Sequence, residues 1–131
     1  MALNYSLFPL DFQAVGESFV SQYYAKLQQN RQFVLDFYHE QALMTYEGTP
    51  LNGRAAIMGR FQSLTWKTIQ INITSCDCQP MENGIVVFVD GQLRCDDEAR
   101  ALPFSECFVL KKMETSYCIT NSVFRLHLHN F

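Results

Sequence analysis

Three groups of side chains in this sequence could do chemistry. Acids cluster at Asp96, Asp97 and Glu98, and another acid, Glu47, stands before Gly48. Consecutive carboxylates repel one another and call for solvent and a cationic partner. Their chemistry is recognition of a basic surface, and the plain alternative is a solvated loop. The second group is the pairs Cys76 with Cys78 and His127 with His129, each at strand spacing for one face. Two such residues can ligate a metal, but no second cysteine pair and no third histidine-site ligand accompanies them. The cysteines therefore read as small core hydrophobes and the histidines as seam or rim residues. The third group is acid–base chemistry, which needs a general base and an oxyanion donor converging in a pocket. Tyr23, Tyr38, Tyr46, Asp90 and Tyr117 are the polar candidates. Buried tyrosines commonly pack with the hydroxyl at an edge, and Asp90 precedes Gly91, where a bend or bulge explains it. No catalytic residue, metal or cofactor is expected.

The acid cluster follows directly on Val86-Val87-Phe88-Val89, a run that is apolar on both alternating faces. Such a strand calls for cover on both sides. The rest of the chain is then the scaffold that sets an acidic lip at the rim of an apolar pocket.

The 131 residues predict one domain, with residues 1–10 as an N-terminal arm. Hydrophobic content is 48% and aromatic content 14%, with 11 Phe and 6 Tyr, enough that a partner is expected to cover some of it. Thirteen acids against ten bases give a net charge of −3, and no basic run is longer than Lys111-Lys112. A nucleic-acid binder shows a basic stripe, so nucleic acid is not expected as a partner. The cysteines, Cys76, Cys78, Cys95, Cys107 and Cys118, are odd in number and contain no Cys-x-x-Cys. Free thiols and no leader pattern predict the cytosol or nucleus. No apolar run reaches membrane-spanning length, so no membrane insertion is expected.

Phe12, Val15, Phe19, Tyr23 and Leu27 recur at spacings of three and four and predict a helix over residues 11–27. A short helical piece follows at 33–38 and a strand at 42–47, with turn chemistry at Thr49-Pro50. Asn52 is the expected N-cap of a helix over 54–63 that buries Ala55, Ala56, Ile57 and Phe61. The period then becomes two. Strict alternation predicts a strand at 68–74, Asn83-Gly84 predicts a hairpin, and further strands follow at 85–95, 102–112 and 117–127. Helices followed by antiparallel strands make an α+β fold of three helices on one sheet. The helices can cover only one sheet face, so the other is expected to pack on a second copy.

Four segments carry a resemblance to a known family. They are Val15-Gly16-Glu17-Ser18-Phe19-Val20-Ser21-Gln22-Tyr23-Tyr24; Thr45-Tyr46-Glu47-Gly48 with Leu51-Asn52-Gly53-Arg54-Ala55-Ala56-Ile57; Gly91-Gln92-Leu93-Arg94 with its acids; and Cys118 onward to the closing Phe124-Arg125-Leu126-His127-Leu128-His129-Asn130-Phe131. From about Phe12 to the end the chain resembles the nuclear transport factor 2 family. The resemblance implies a cone-shaped fold, three helices on a strongly bent antiparallel sheet, and a homodimer through the sheet face. It implies a carrier of the GTPase Ran in its GDP form, moving between cytoplasm and nucleus and enriched at the nuclear pore. An aromatic finger from Ran would enter the cone, whose wall would be Tyr46, Leu64, Trp66, Ile69, Leu93 and Phe124. Glu47, Asp96, Asp97 and Glu98 would pair with Ran's basic side chains. Phe12 would meet Phe-Gly nucleoporin repeats beside the seam, and Phe88, Cys107, Val123 and His127 would form the dimer interface. Phe12 and Tyr46 stand where the family usually has Trp, the hairpin at Asn83-Gly84 is one residue shorter, and the loop 98–102 is one longer and adds Arg100. The same fold hosts isomerases and dehydratases, and subunits of messenger-RNA export heterodimers, so an enzyme and a fixed heterodimer subunit are the alternative readings.

Overall fold

The apolar stripe at spacings of three and four does form a helix, α1 (Phe12–Gln29), which buries Gly16, Val20, Tyr23, Tyr24 and Leu27. The computed structural model describes residues 1–128, so His129 and the last residues of the closing motif lie outside the described residues. Asn30 ends α1: its amide donates to Lys26 O at 2.9 Å, and its side chain accepts from the Gln32 amide at 3.0 Å. That second bond starts a 3-10 segment, Arg31–Phe37, in place of the expected helical piece at 33–38.

Six strands follow: β1 (Tyr38–Tyr46), β2 (Thr49–Asn52), β3 (Ile69–Met81), β4 (Gly84–Cys95), β5 (Leu102–Met113) and β6 (Ser116–Leu126), with α2 (Arg54–Ser63) between β2 and β3. They form one curved, unclosed sheet in the order β2-β1-β6-β5-β4-β3. The expected α+β arrangement of three helices on a bent sheet holds. One pairing differs from a wholly antiparallel sheet, because β1 runs parallel to β6. Hairpins join every other neighbouring pair, and a hairpin imposes the antiparallel direction. β1 and β6 are far apart in the chain, so no local turn sets theirs.

The first turn also differs. Thr49 and Pro50 are not the turn but the start of β2; Glu47 and Gly48 make it, with φ of 50° and 82°. Positive φ at both central residues is what a two-residue hairpin with the sheet's own twist requires. Pro50 is tolerated because β2 is an edge strand. Asn52 pairs with Leu43 and so cannot cap α2; the N-cap is Gly53, whose amide donates to Ala42 O at 2.7 Å. Ala55 faces solvent, while Ile57 and Phe61 are buried. At the next hairpin the two-residue loop is Glu82-Asn83, with Asn83 at φ 57°. Gly84 already belongs to β4, where an added Cβ would stand 2.7 Å from Leu110 O.

Period-two alternation sorts the two faces. Ile85, Val87, Val89 and Leu93 of β4, Phe104, Phe108 and Leu110 of β5, and Ile119 and Phe124 of β6 are buried. α1 lies against β3 and β4, and α2 against β1, β2 and the 3-10 segment. Gly16 lets α1 approach closely, since a Cβ there would stand 2.3 Å from Cys78 Sγ. Cys76 and Cys78 share this face; burial raises both thiols, Cys78 to about 12, as befits core side chains. The N-terminal arm docks on the β3–β4 turn. Asn4 N donates to Glu82 Oε1 at 2.9 Å, and Asn83 N donates to Leu7 O at 2.9 Å.

Candidate functional site

Between α1, α2 and the inner sheet face the core does not close, and a hollow of about 150 Å³ remains. All six wall residues named from the sequence line it: Tyr46, Leu64, Trp66, Ile69, Leu93 and Phe124. Leu64, Trp66, Ile71 and Leu102 are partly exposed and form the rim, while Tyr23, Tyr24, Phe61 and Phe104 are buried at depth. The aromatic wall is ordered by stacking. Tyr46 lies on Phe124 with ring centres 4.9 Å apart and 16° between planes, and Phe104 continues the stack at 5.7 Å from Phe124. Arg60 covers Tyr46 from outside, its guanidinium carbon 4.6 Å from the ring centre. Arg31 fixes the loop after α2. It donates to the carbonyls of Phe61 (3.2 Å), Leu64 and Trp66, and lies 3.9 Å from the centre of the Trp66 ring.

The acids adjoin this hollow in two ways. Glu47 follows Tyr46, and its carboxylate accepts from the amide of Leu126, also a lining residue; its own amide donates to Phe124 O at 3.0 Å. Asp96 follows lining residue Cys95, with φ 53°, and its Oδ1 accepts from the Lys67 and Thr68 amides, both at 2.9 Å. Those backbone bonds, Thr68 first, hold the Asp96 carboxyl below the usual aspartate range. Glu47 and Asp96 are thus each held by backbone amides, next in sequence to the lining residues Tyr46 and Cys95. Asp97 and Glu98 are exposed, and among the described residues their carboxylates make no hydrogen bond or ion pair. Arg100, on the same loop, is exposed and also outside the one ion pair found among the described residues, Arg54 with Glu40 at 3.7 Å.

Phe12 is the first residue of α1 and is partly buried against the core. One turn further, Val15, Phe19, Phe37 and Tyr117 line a shallow open groove along α1. On the outer sheet face Phe88 pairs with Cys107 and Cys107 with Val123, so these three form one row across β4, β5 and β6. Phe88 is 47% exposed and Val123 50% exposed. His127 is exposed just past β6; its Nε2 lies 2.6 Å from Ser105 Oγ, which donates to Asp90 Oδ1. This Asp90–Ser105–His127 chain runs over the outer face, away from the hollow, and Asp90 does not reach the imidazole as an orienting acid does in a nucleophilic triad.

The one acid lining the hollow among the described residues was not foreseen. Glu106 is 4% exposed, sits in the hollow, and accepts from the Tyr24 hydroxyl at 2.6 Å. Burial pushes its carboxyl up to about 8, against the opposing effect of the Tyr24 bond. Tyr23 and Tyr38 hydrogen-bond to each other at 2.8 Å, and burial raises both phenols. The signal for Glu106 was available. It is the acid on the β5 face that otherwise reads Phe104, Phe108, Leu110.

Comparison with known proteins agrees with this geometry. Residues 15–126 match the family described as the Nuclear transport factor 2 (NTF2) domain. The chain is 38% identical to "Probable nuclear transport factor 2" of Caenorhabditis elegans over 128 residues, covering 92% of this chain and 96% of that one. It is 34% identical to "Nuclear transport factor 2" of Oryza sativa subsp. japonica over 120 residues, 90% of this chain and 98% of that one. Among solved structures, nuclear transport factor 2 from Cryptosporidium parvum superposes with a TM-score of 0.88 at 37% identity, covering 96% of this chain and all of that one.

Proposed function

The chain belongs to the nuclear transport factor 2 family, and from that premise we propose that it is a non-enzymatic nuclear import carrier for Ran in its GDP form. The observation that carries this reading is an aromatic-walled hollow with pinned acids, Glu47 and Asp96, next to its rim residues. An aromatic side chain from Ran enters the hollow and stacks on the Tyr46–Phe124–Phe104 wall. The desolvated ring supplies most of the affinity. Glu47, Asp96, Asp97 and Glu98 pair with basic side chains around that ring. Exposed ion pairs contribute only about 0–1 kcal/mol each, so these acids chiefly speed encounter and select the partner. Because backbone amides already hold Glu47 and Asp96, little ordering cost remains at binding.

Two copies associate through the outer sheet face, with the Phe88–Cys107–Val123 row and His127 at the seam. The dimer then presents two hollows and carries two Ran molecules. Phe12 and its helix face receive Phe-Gly nucleoporin repeats, which lets the loaded dimer cross the pore between cytoplasm and nucleus. Discrimination between nucleotide states lies in Ran, whose mobile segment presents the ring in one state only. The test is a pull-down of Ran-GDP by wild type and Glu47→Lys at rising salt. Binding should weaken with salt, because rim charges are screened over about 8 Å at physiological ionic strength, and should vanish in the variant with the fold intact. Undiminished binding by Glu47→Lys would remove the acids from the site.

A further inference from the structure

Among the described residues, the apolar hollow carries one acid in its lining, Glu106. Glu106 lines the hollow with one carboxyl oxygen, Oε1, bound by the Tyr24 hydroxyl at 2.6 Å, and that is the one hydrogen bond its carboxyl makes among the described residues. The side chain is 4% exposed and is one of the lining residues. The second oxygen, Oε2, is thus left to a partner entering the hollow, and a ligand that supplies one gains a hydrogen bond there. The remaining wall is apolar and aromatic: Leu27, Met44, Phe61, Ile69, Leu93 and Phe104 among others. A hollow of about 150 Å³ lined this way matches one six-membered ring.

From this geometry we infer that the hollow is also a small-molecule site, for single-ring compounds that carry one hydrogen-bond acceptor, a ketone or similar carbonyl, aimed at Glu106. The direction of the bond follows from the proton inventory. Burial pushes the Glu106 carboxyl up to about 8, so at pH 6.5 it is predominantly neutral. Tyr24 donates to Oε1, so the acid's own proton sits on Oε2 and is offered to the hollow. A ring carbonyl takes that proton as an acceptor, while its ring replaces the missing packing against the aromatic wall. A ligand carboxylate would place a second acid beside the first, and a ligand without an acceptor leaves Oε2 unsatisfied. The site needs no protein partner, so it and the Ran reading stand or fall separately.

The test uses the full chain, titrated calorimetrically with acetophenone and with its planar hydrocarbon counterpart, α-methylstyrene. The proteins are wild type, Glu106→Gln and Glu106→Leu, at pH 6.5 and 9.5. In wild type at pH 6.5 acetophenone should bind about tenfold more tightly, the worth of one net hydrogen bond. The preference should disappear in Glu106→Leu, and in wild type at pH 9.5, where the carboxylate has no proton to give. Glu106→Gln, which keeps a donor, should retain the preference at both pH values. The titratable side chains around Glu106 and the hollow are Tyr23 and Tyr24 on α1, Tyr38 and Tyr46 on β1, Cys95 on β4, and Cys107 beside it, all raised by burial. Arg60, over Tyr46, keeps its charge throughout. The wild-type pH comparison therefore reports Glu106 even if Glu106→Leu fails to fold. No binding of either compound, equal affinity for both in wild type at pH 6.5, or a preference that survives at pH 9.5 would overturn the inference.

Discussion

Asp96 reaches from the end of β4 back to the start of β3, where its Oδ1 accepts the Thr68 amide at 2.9 Å while its own amide donates to Thr68 O at 2.9 Å. This reciprocal pair ties the acid loop to the rim segment that carries Trp66 and Ile69. The clamp uses the carboxylate as an acceptor, so its loss should be local. Asp96→Ala should raise hydrogen exchange at the Lys67 and Thr68 amides, and Asp96→Asn, which keeps an oxygen there, should raise it less. The same bonds depress the Asp96 carboxyl, so their stabilisation is present above the ordinary aspartate range and is lost as pH falls through the lower folded value. Unchanged protection of Thr68 in Asp96→Ala would show that the clamp is idle.

Glu106 gives the opposite pH dependence. Its folded-state carboxyl titrates near 8 against an ordinary 4.5, so the folded chain holds the proton longer than the unfolded chain. The favourable contribution is complete below 4.5 and is lost as pH rises to about 8, at about 1 kcal/mol per pH unit. Denaturant titrations of wild type and Glu106→Gln should therefore diverge across that window, with wild type losing ground as pH rises. Parallel profiles would mean that Glu106 is ionised in the folded protein.

The outer row predicts the oligomeric state. Phe88 and Val123 are about half exposed on either side of Cys107, so charging either one costs the protomer little and a face-to-face dimer much. Sedimentation should find wild type dimeric and Phe88→Glu or Val123→Glu monomeric with an unchanged circular dichroism spectrum. A monomeric wild type, or a dimer that tolerates both charges, would place the contact elsewhere.

Phe12 separates the two proposed partners. Phe12→Ala should lower capture on immobilised Phe-Gly repeats and leave Ran-GDP binding intact, because Phe12 is not among the residues lining the hollow. Loss of both would show that Phe12 serves the core, against which it is partly buried.

How far the sequence spoke depended on whether a feature was local. The stripe Val15, Phe19, Tyr23, Leu27 marks α1 and the alternation at 68–74 marks β3, whereas Val86-Val87-Phe88-Val89 reads as apolar on both faces and burial alone separates Val87 and Val89 from Phe88. The residues Phe88, Cys107 and Val123 came from the family resemblance, and their alignment in one row follows from the strand register. The β1–β6 direction was not legible, since no short turn joins the two strands. Pro50 drew the turn two residues too far along, because its chemistry suits an edge strand as well as a turn. Glu106 escapes because no turn, spacing or cluster marks a single acid before the apolar run Cys107-Phe108-Val109-Leu110. The acid one residue earlier falls on the inward register shared by Phe104 and Phe108.

The most direct trial of the account is a pair of calorimetric titrations of the purified chain, with Ran loaded with GDP and with a non-hydrolysable GTP analogue. The account predicts saturable binding of Ran-GDP at one site per protomer, sensitive to salt, and no measurable heat with the GTP-analogue form. Equal binding of the two forms, or none of the GDP form, would contradict it.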